Sequence, residues 1–238
     1  MTDVLFTPWR VGILMALLAV ARVLVSLWAP PSKMRKSLTE ILDSGLIALG
    51  LVFLIIRPFV VQAFYIPTGS MEPTLIGAES HPPGDRVLVC KFLYHVNPPR
   101  RGDIIVFRAP SNALASGFGQ GIRRAPQDFI KRLIGLPGDR IQIQGGVGVY
   151  VNGKLLAEPY IRSDRQVRYS FPGTEGEYQD KFPPLGAEFE VGEQEVFVLG
   201  DNRNSSNDSH MWGTLPIRNV VGKAMAIFWP PTRVRIVE

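Results

Sequence analysis

Cysteine is nearly absent from this 238-residue chain, where Cys90 stands alone. A single thiol excludes an intramolecular disulfide and any cysteine-based zinc site. Histidine is scarce too, with only His81, His95 and His210, which leaves no histidine-rich metal centre. The one Asp-rich turn lacks the offsets of a calcium loop, so neither a metal nor another cofactor is expected. No Lys/Arg block is long enough to track a phosphate backbone. The balance of 26 Lys+Arg against 21 Asp+Glu leaves a net charge of only +5, and nucleic acid is not an expected partner. There is no Gly-x-Ser-x-Gly elbow and no internal repeat.

What is present is hydrophobicity, concentrated in the first 66 residues. Apolar residues make up 46% of the chain and charged residues 20%, too apolar a mixture for a disordered polyelectrolyte. The first apolar segment, Val11 to Trp28, reads VGILMALLAVARVLVSLW. The second runs from about Ile41 to Ile66, with the uncharged centre SGLIALGLVFLII at Ser44 to Ile56. A membrane span needs about 20 mainly apolar residues. The second segment qualifies if Asp43 and Arg57 lie near the interfaces. The first carries Arg22 near its middle, at a cost of about 2.5–3.5 kcal/mol on an insertion scale. It is read as a span, against an interfacial or a buried helix.

The connector, residues 29–40, carries Lys33, Arg35 and Lys36 and stays cytoplasmic under the positive-inside rule. Residues 1–57 therefore form a membrane region with helices at about 11–28 and 41–57. Residues 58–238 are delivered to the extracytoplasmic side.

That second region reads as a mainly β body. Candidate strands are Val60–Ile66, Arg86–Lys91, Asp103–Phe107, Phe129–Gly135, Arg140–Gln144, Gly148–Val151, Glu195–Leu199 and Lys223–Phe228. They are short, rich in Val, Ile and Phe, and bounded by Gly and Pro. Asn152-Gly153 is the signal of a two-residue hairpin turn. The 20 prolines argue against long helices here. Loops Ser111–Gln127 and Ser163–Gly186 read as surface insertions. Residues of about 140–195 form a smaller β-rich insertion subdomain.

Three stretches concentrate polar chemistry beside strands. In PTGSMEPTL, residues 67–75, Ser70 stands on a corner made by Gly69 and stiffened by Pro73; it is either a nucleophile or a turn serine. In FIKRLIGLPGD, residues 129–139, alternation places Phe129, Lys131 and Leu133 on one face and Ile130 with Arg132 on the other. A lysine among apolar neighbours is a candidate general base, since desolvation lowers its pKa; an ordinary edge-strand lysine is the alternative. In GDNRNSSNDSHMWG, residues 200–213, a long polar run follows a buried strand. It is either a flexible loop or a self-bonded scaffold.

Four segments taken in order, PTGSMEPTL, RRGDIIVF (100–107), KRLIGLPGD (131–139) and GDNRNSSNDSHMWG, resemble the sequence boxes of the type I signal peptidases. These are membrane-bound serine proteases that remove signal peptides from exported proteins. The likeness covers about residues 58–230 and implies the family's β-rich catalytic body. It also implies a serine–lysine dyad, with Ser70 as nucleophile and Lys131 as general base. The Ser70 N–H and the Thr68 hydroxyl would form the oxyanion hole, Thr68 standing where serine is common. Ser206 would orient the lysine amine, with Asp208 and His210 as further support. The chain departs from the family at Asn204, commonly Asp, and at His210, commonly Arg. A histidine carries charge only when protonated, so support for the lysine becomes pH-sensitive.

A triad using Asp208, His210 and Ser70 or Ser209 is disfavoured, because Ser209 points away from His210 on an extended chain. Self-cleaving Ser–Lys repressors share the dyad but carry a DNA reader in place of membrane segments. An inert membrane-anchored β domain that binds or scaffolds a partner is the non-enzymatic alternative. The resemblance implies signal-peptide-bearing preproteins as substrates, cut after a small-x-small motif, at the bacterial plasma membrane or its equivalent. Membrane phospholipid and the secretion translocon are the other expected partners. Tyr65, Ile66 and Ile130 are candidate substrate-pocket residues. Asp103 reads as a capping residue or a partner of Arg101, Trp212 as a core plug, and Cys90 as a small buried residue.

Overall fold

A computed structural model describes residues 8–28, 30–115, 128–144, 147–161, 182–183 and 186–237. They fall into two compact units, Met1–Gln62 and Ala63–Glu238.

The first unit is a pair of helices. Helix α1 spans Pro8–Trp28 and α2 spans Lys33–Gly50, the latter continuing as a π-helical stretch over Leu51–Val60. The helix starts earlier than the apolar pattern alone indicated. Ser32 caps it, accepting a hydrogen bond from the Arg35 N–H at 3.2 Å, and no breaker follows Pro31. Lys33, Arg35 and Lys36 thus occupy its first turn. Pro58 supplies no N–H to an i→i−4 ladder, and the helix runs in the wider form there. Arg10–Trp28 and Lys33–Leu54 are each long and apolar enough to cross a membrane. Arg22, the charge that interrupts the first apolar segment, meets Asp43 of α2, Nε to Oδ1 at 3.0 Å and Nη2 to Oδ2 at 3.4 Å.

The second unit holds twelve described strands: β1 Val61–Tyr65 (its first two residues lying in the helical unit), β2 Arg86–Cys90, β3 Ile104–Arg108, β4 Asp128–Gly135, β5 Arg140–Gln144, β6 Gly148–Val151, β7 Lys154–Leu155, β8 Glu188–Glu190, β9 Glu195–Leu199, β10 Leu215–Pro216, β11 Val220–Trp229 and β12 Arg235–Ile236. One sheet runs β1-β2-β11-β3-β4-β9-β10, with β12 also on β11; a smaller sheet runs β7-β6-β5-β8. The eight strands expected from pattern are all present. The short β7, β8, β10 and β12 lacked enough residues to show a period. The Asn152-Gly153 turn has φ of 52° and 74°, as a hairpin of mirror-image type requires.

At β3 the large sheet is buried on both faces. Ile104 and Val106 of β3 pack with Ile66, Met71 and Val87, whereas Ile105 and Phe107 pack with Leu133, Val198 and Trp212. This is why IIVF reads as a continuous apolar run rather than an alternating one. Trp212 is the expected plug, its ring 6.1 Å from that of Phe107. A third cluster, Ile134, Ile141, Val149 and Phe197, lies under the smaller sheet. Cys90 is half-buried on β2 rather than fully enclosed. Arg101 pairs with Asp139, not with Asp103, which instead accepts from the Arg100 N–H and from Lys223.

The two loops singled out by composition lie mostly outside the described residues, at 116–127 and at 162–181 with 184–185.

Candidate active site

Two elements bring the polar boxes together. Ser70 sits on a 3-10 turn, Gly69–Met71, directly after the core residue Ile66 and the exit Pro67-Thr68. Lys131 lies inside β4, paired in register with Ile105 of β3. Alternation along β4 packs Ile130 against one core cluster and Phe129 with Leu133 in the other. Lys131 shares the Phe129 side, its Nζ 5.6 Å from that ring's centre.

There the lysine meets the serine. Lys131 Nζ donates to Ser70 Oγ at 2.9 Å and to the Ile130 carbonyl at 2.9 Å. Both side chains are buried, with Ser70 8% and Lys131 4% exposed. Burial pushes the lysine amine down from 10.5 to about 8, against the opposing charges of Asp208 and Asp201. A buried amine with that proton affinity can accept the proton of a serine hydroxyl near neutral pH. Thr68 Oγ1 lies 3.4 Å from Ser70 Oγ.

The 200–213 stretch is the self-bonded scaffold. Gly200 N–H donates to Asp208 Oδ2 at 2.8 Å, Val198 N–H to Ser209 Oγ at 3.0 Å, and Arg203 Nε to the Gly200 carbonyl at 3.0 Å. Asp208 caps the short helix Ser209–Trp212 by accepting the His210 N–H. His210 Nδ1 lies 2.5 Å from Asp208 Oδ1. Burial pushes the Asp208 carboxyl up, yet the His210 ring and the Gly200 N–H outweigh it and hold it below the usual carboxylate range. Gly200 is required by close approach: a Cβ there would collide with Ser206 Oγ and the Ser70 carbonyl.

The scaffold also grips the serine turn. Asn202 N–H donates to the Ser70 carbonyl at 3.1 Å, and Asn202 Nδ2 to the Gly69 carbonyl at 3.0 Å. Asp201 accepts from Thr74 Oγ1 at 2.5 Å and from Arg132 at 2.9 and 2.8 Å. Arg203 pairs with Glu158, both buried. Asn202, Asp201 and Arg132 are not among the site residues expected from the sequence. Their signal was the placement of Arg132 on the face opposite Lys131, which obliges a buried arginine to find a carboxylate. Nothing local pointed to Glu158, 45 positions from Arg203.

A cleft of about 620 Å³ opens beside Ser70 and Lys131. Thr68, Ser70, Ile130, Lys131 and Ser206 all line it. Of the expected residues, two stand elsewhere. Ile66, just past β1, is 2% exposed and packs in the core with Met71 and Leu75; Tyr65 is exposed, and neither is among the residues lining the cleft. Ser206 is in place but does not hydrogen-bond Lys131. Its hydroxyl lies near enough to Asp208 to lower that carboxyl's proton affinity, yet outside hydrogen-bond geometry among the described residues. Asn204 is exposed on the turn Arg203–Ser205. Ser209 is engaged with the β9 backbone rather than with His210. No metal-binding group of His, Cys, Asp and Glu occurs among the described residues.

Comparison with known proteins is specific. A family model described as "Signal peptidase, peptidase S26" matches residues 38–229. The chain is 41% identical over 208 residues to a signal peptidase I of Leptolyngbya laminosa, covering 86% of this chain and 88% of that one. It is 41% identical over 180 residues to a probable signal peptidase I-1 of Synechocystis, covering 76% and 77%. A solved signal peptidase I from Enterococcus faecalis aligns with a TM-score of 0.37 at 28% identity, covering 54% of this chain and 97% of that one.

Proposed function

The chain belongs to the signal peptidase family, peptidase S26, and we propose that it removes signal peptides from exported preproteins with Ser70 as nucleophile and Lys131 as general base. The observation that carries this is the 2.9 Å contact between Lys131 Nζ and Ser70 Oγ inside a cleft, with the amine's proton affinity lowered by burial.

Neutral Lys131 takes the Ser70 proton as Oγ attacks the scissile carbonyl. The tetrahedral oxyanion is held by the Ser70 N–H and by Thr68 Oγ1, whose hydroxyl stands on the serine side of the turn. Protonated Lys131 then gives its proton to the leaving amine, and the acyl-enzyme forms. Water activated by the same amine completes hydrolysis. Asp208, His210 and Ser206 support the lysine from behind; their part is electrostatic, through the Asp208 charge that acts on Lys131. Cleavage follows a small-x-small motif, with Ile130 on the wall that excludes larger side chains sterically.

The two apolar helices anchor the chain in the membrane. Lys33, Arg35 and Lys36 hold the connector in the cytoplasm, which places the body on the extracytoplasmic side. Anchoring confines enzyme and membrane-held signal peptide to two dimensions. Contact of the body with phospholipid is supported by exposed Leu88, Met225, Phe228, Trp229 and Ile236 on β2, β11 and β12. The enzyme would work near the secretion translocon.

The test is cleavage of a preprotein with an Ala-x-Ala exit, using full-length protein in detergent and phospholipid. Wild type should cut at one site, and Ser70→Ala and Lys131→Ala should lose cleavage while remaining folded. Near-normal activity in Lys131→Ala would place the base elsewhere.

A further inference from the structure

The loop from Ile76 to Asp85 forms a wall beside the serine turn and lines the cleft through Glu79. Its Ala78 and Glu79 N–H groups donate to the Ile66 and Pro67 carbonyls at 3.1 and 3.0 Å, covering the backbone that leads to Ser70. Within the loop, Asp85 N–H donates to the Ile76 carbonyl at 2.9 Å and the Ile76 N–H returns to Asp85 Oδ2 at 2.8 Å. Arg233 fixes the same carboxylate at 2.8 and 3.0 Å. Gly77 packs so closely on Thr68 and Gly69 that a Cβ would collide with their backbone. The wall is therefore pinned at both ends and along its length.

On this wall stands Glu79, exposed at the cleft rim. Its carboxylate makes no ion pair or side-chain hydrogen bond among the described residues. Asp128, which also lines the cleft, differs: burial pushes its carboxyl up, against the nearby charges of Arg108 and Lys91. The one cation of the described cleft lining, Lys131, is the general base in the proposed reaction and is neutral when it acts. An uncompensated negative charge thus faces whatever chain occupies the cleft.

We propose that Glu79 is a specificity-determining residue, favouring substrates with a cationic side chain near the scissile bond on the Pro67 side and disfavouring acidic ones. The proposal rests on the cleft being the peptide-cleaving site. An exposed carboxylate–ammonium pair is worth little in water, so the selection is a modest one, about three- to tenfold between Lys and Glu, and falls as salt screens it.

The experiment compares peptides sharing one cleavage sequence, each with a single Lys, Gln or Glu at successive positions on either side of the cut. kcat/KM is read for full-length wild type, Glu79→Gln and Glu79→Lys, at low and high salt. Binding of the same peptides to Ser70→Ala is read in parallel. The expected result is a Lys-over-Glu preference at one or two adjacent positions that shrinks toward unity in Glu79→Gln, inverts in Glu79→Lys and weakens with salt. An unchanged preference in both variants, or none in wild type, overturns the role of Glu79. Failure to cleave any peptide overturns the catalytic reading instead, and charge-dependent binding to Ser70→Ala still decides the role of Glu79.

Discussion

Arg132 and Asp201 form a two-bonded ion pair at 2.9 and 2.8 Å, with side chains 3% and 0% exposed. The pair begins one residue beyond Lys131. Because β4 alternates, Lys131 turns to Ser70 and Arg132 turns to Asp201, which also accepts from Thr74 on the serine segment. One strand thus positions the proposed base and, through the next residue, fastens the segment that carries the proposed nucleophile.

Asp201→Asn leaves the Arg132 guanidinium buried without its counter-charge. Removing one partner of a buried pair costs about 3–5 kcal/mol. Denaturant unfolding in detergent should show a loss of that order, together with lost cleavage. The double variant Arg132→Met/Asp201→Leu should be more stable than either single one, since it removes both buried charges.

Thr68→Val keeps the shape of the side chain and removes the hydroxyl 3.4 Å from Ser70 Oγ. Loss of one oxyanion donor typically lowers kcat by about 10²–10³-fold. Steady-state kinetics should show that fall in kcat with KM little changed. Thr68→Ser should retain most of the activity.

Much of this arrangement was legible in the sequence, and what was not has a physical reason. Strands with enough residues to alternate, such as β4 and β5, announced themselves, as did the Asn152-Gly153 turn with its two positive φ values. Each box alone left a turn serine or an edge-strand lysine open at Ser70 and Lys131, and only the order of the four boxes pointed to the two side chains that meet at 2.9 Å. Ile66, expected near the substrate pocket, packs in the core cluster that Ile130 joins from the cleft side, since proximity along the chain does not say which way a side chain points. The grip of Asn202 on Ser70 and the pairing of Arg203 with Glu158 are long-range bonds, and no local pattern encodes a partner that far away.

The helical unit carries its own prediction. Arg22 and Asp43 meet at 3.0 Å between α1 and α2, so the charge that would oppose insertion of α1 arrives with a counter-charge. Arg22→Glu should impair insertion of α1, and Arg22→Asp/Asp43→Arg should restore it. Protease protection of an N-terminal tag checks this: the tag should be extracytoplasmic in wild type and in the swapped pair, and cytoplasmic in Arg22→Glu.

Burial of Lys131 has a stability signature of definite sign. Its amine titrates at about 8 when folded and at about 10.4 in an unfolded chain. Between those values the unfolded state binds more protons, so stability rises with pH across that window, by about 3 kcal/mol in all. The gain is complete above 10.4 and lost as pH falls through 8. Unfolding followed as a function of pH should show this slope in wild type. Lys131→Met should flatten it and be the more stable protein at neutral pH, although inactive.

The central claim, that Lys131 and not His210 removes the Ser70 proton, is tested most directly by the pH dependence of kcat/KM. The expected profile has an ascending limb with an apparent pKa near 8, the value to which burial brings the lysine. That limb should still be present in His210→Gln, and activity should vanish in Lys131→Ala. An active Lys131→Ala enzyme that keeps the limb, or a His210→Gln enzyme that loses it, would contradict the dyad.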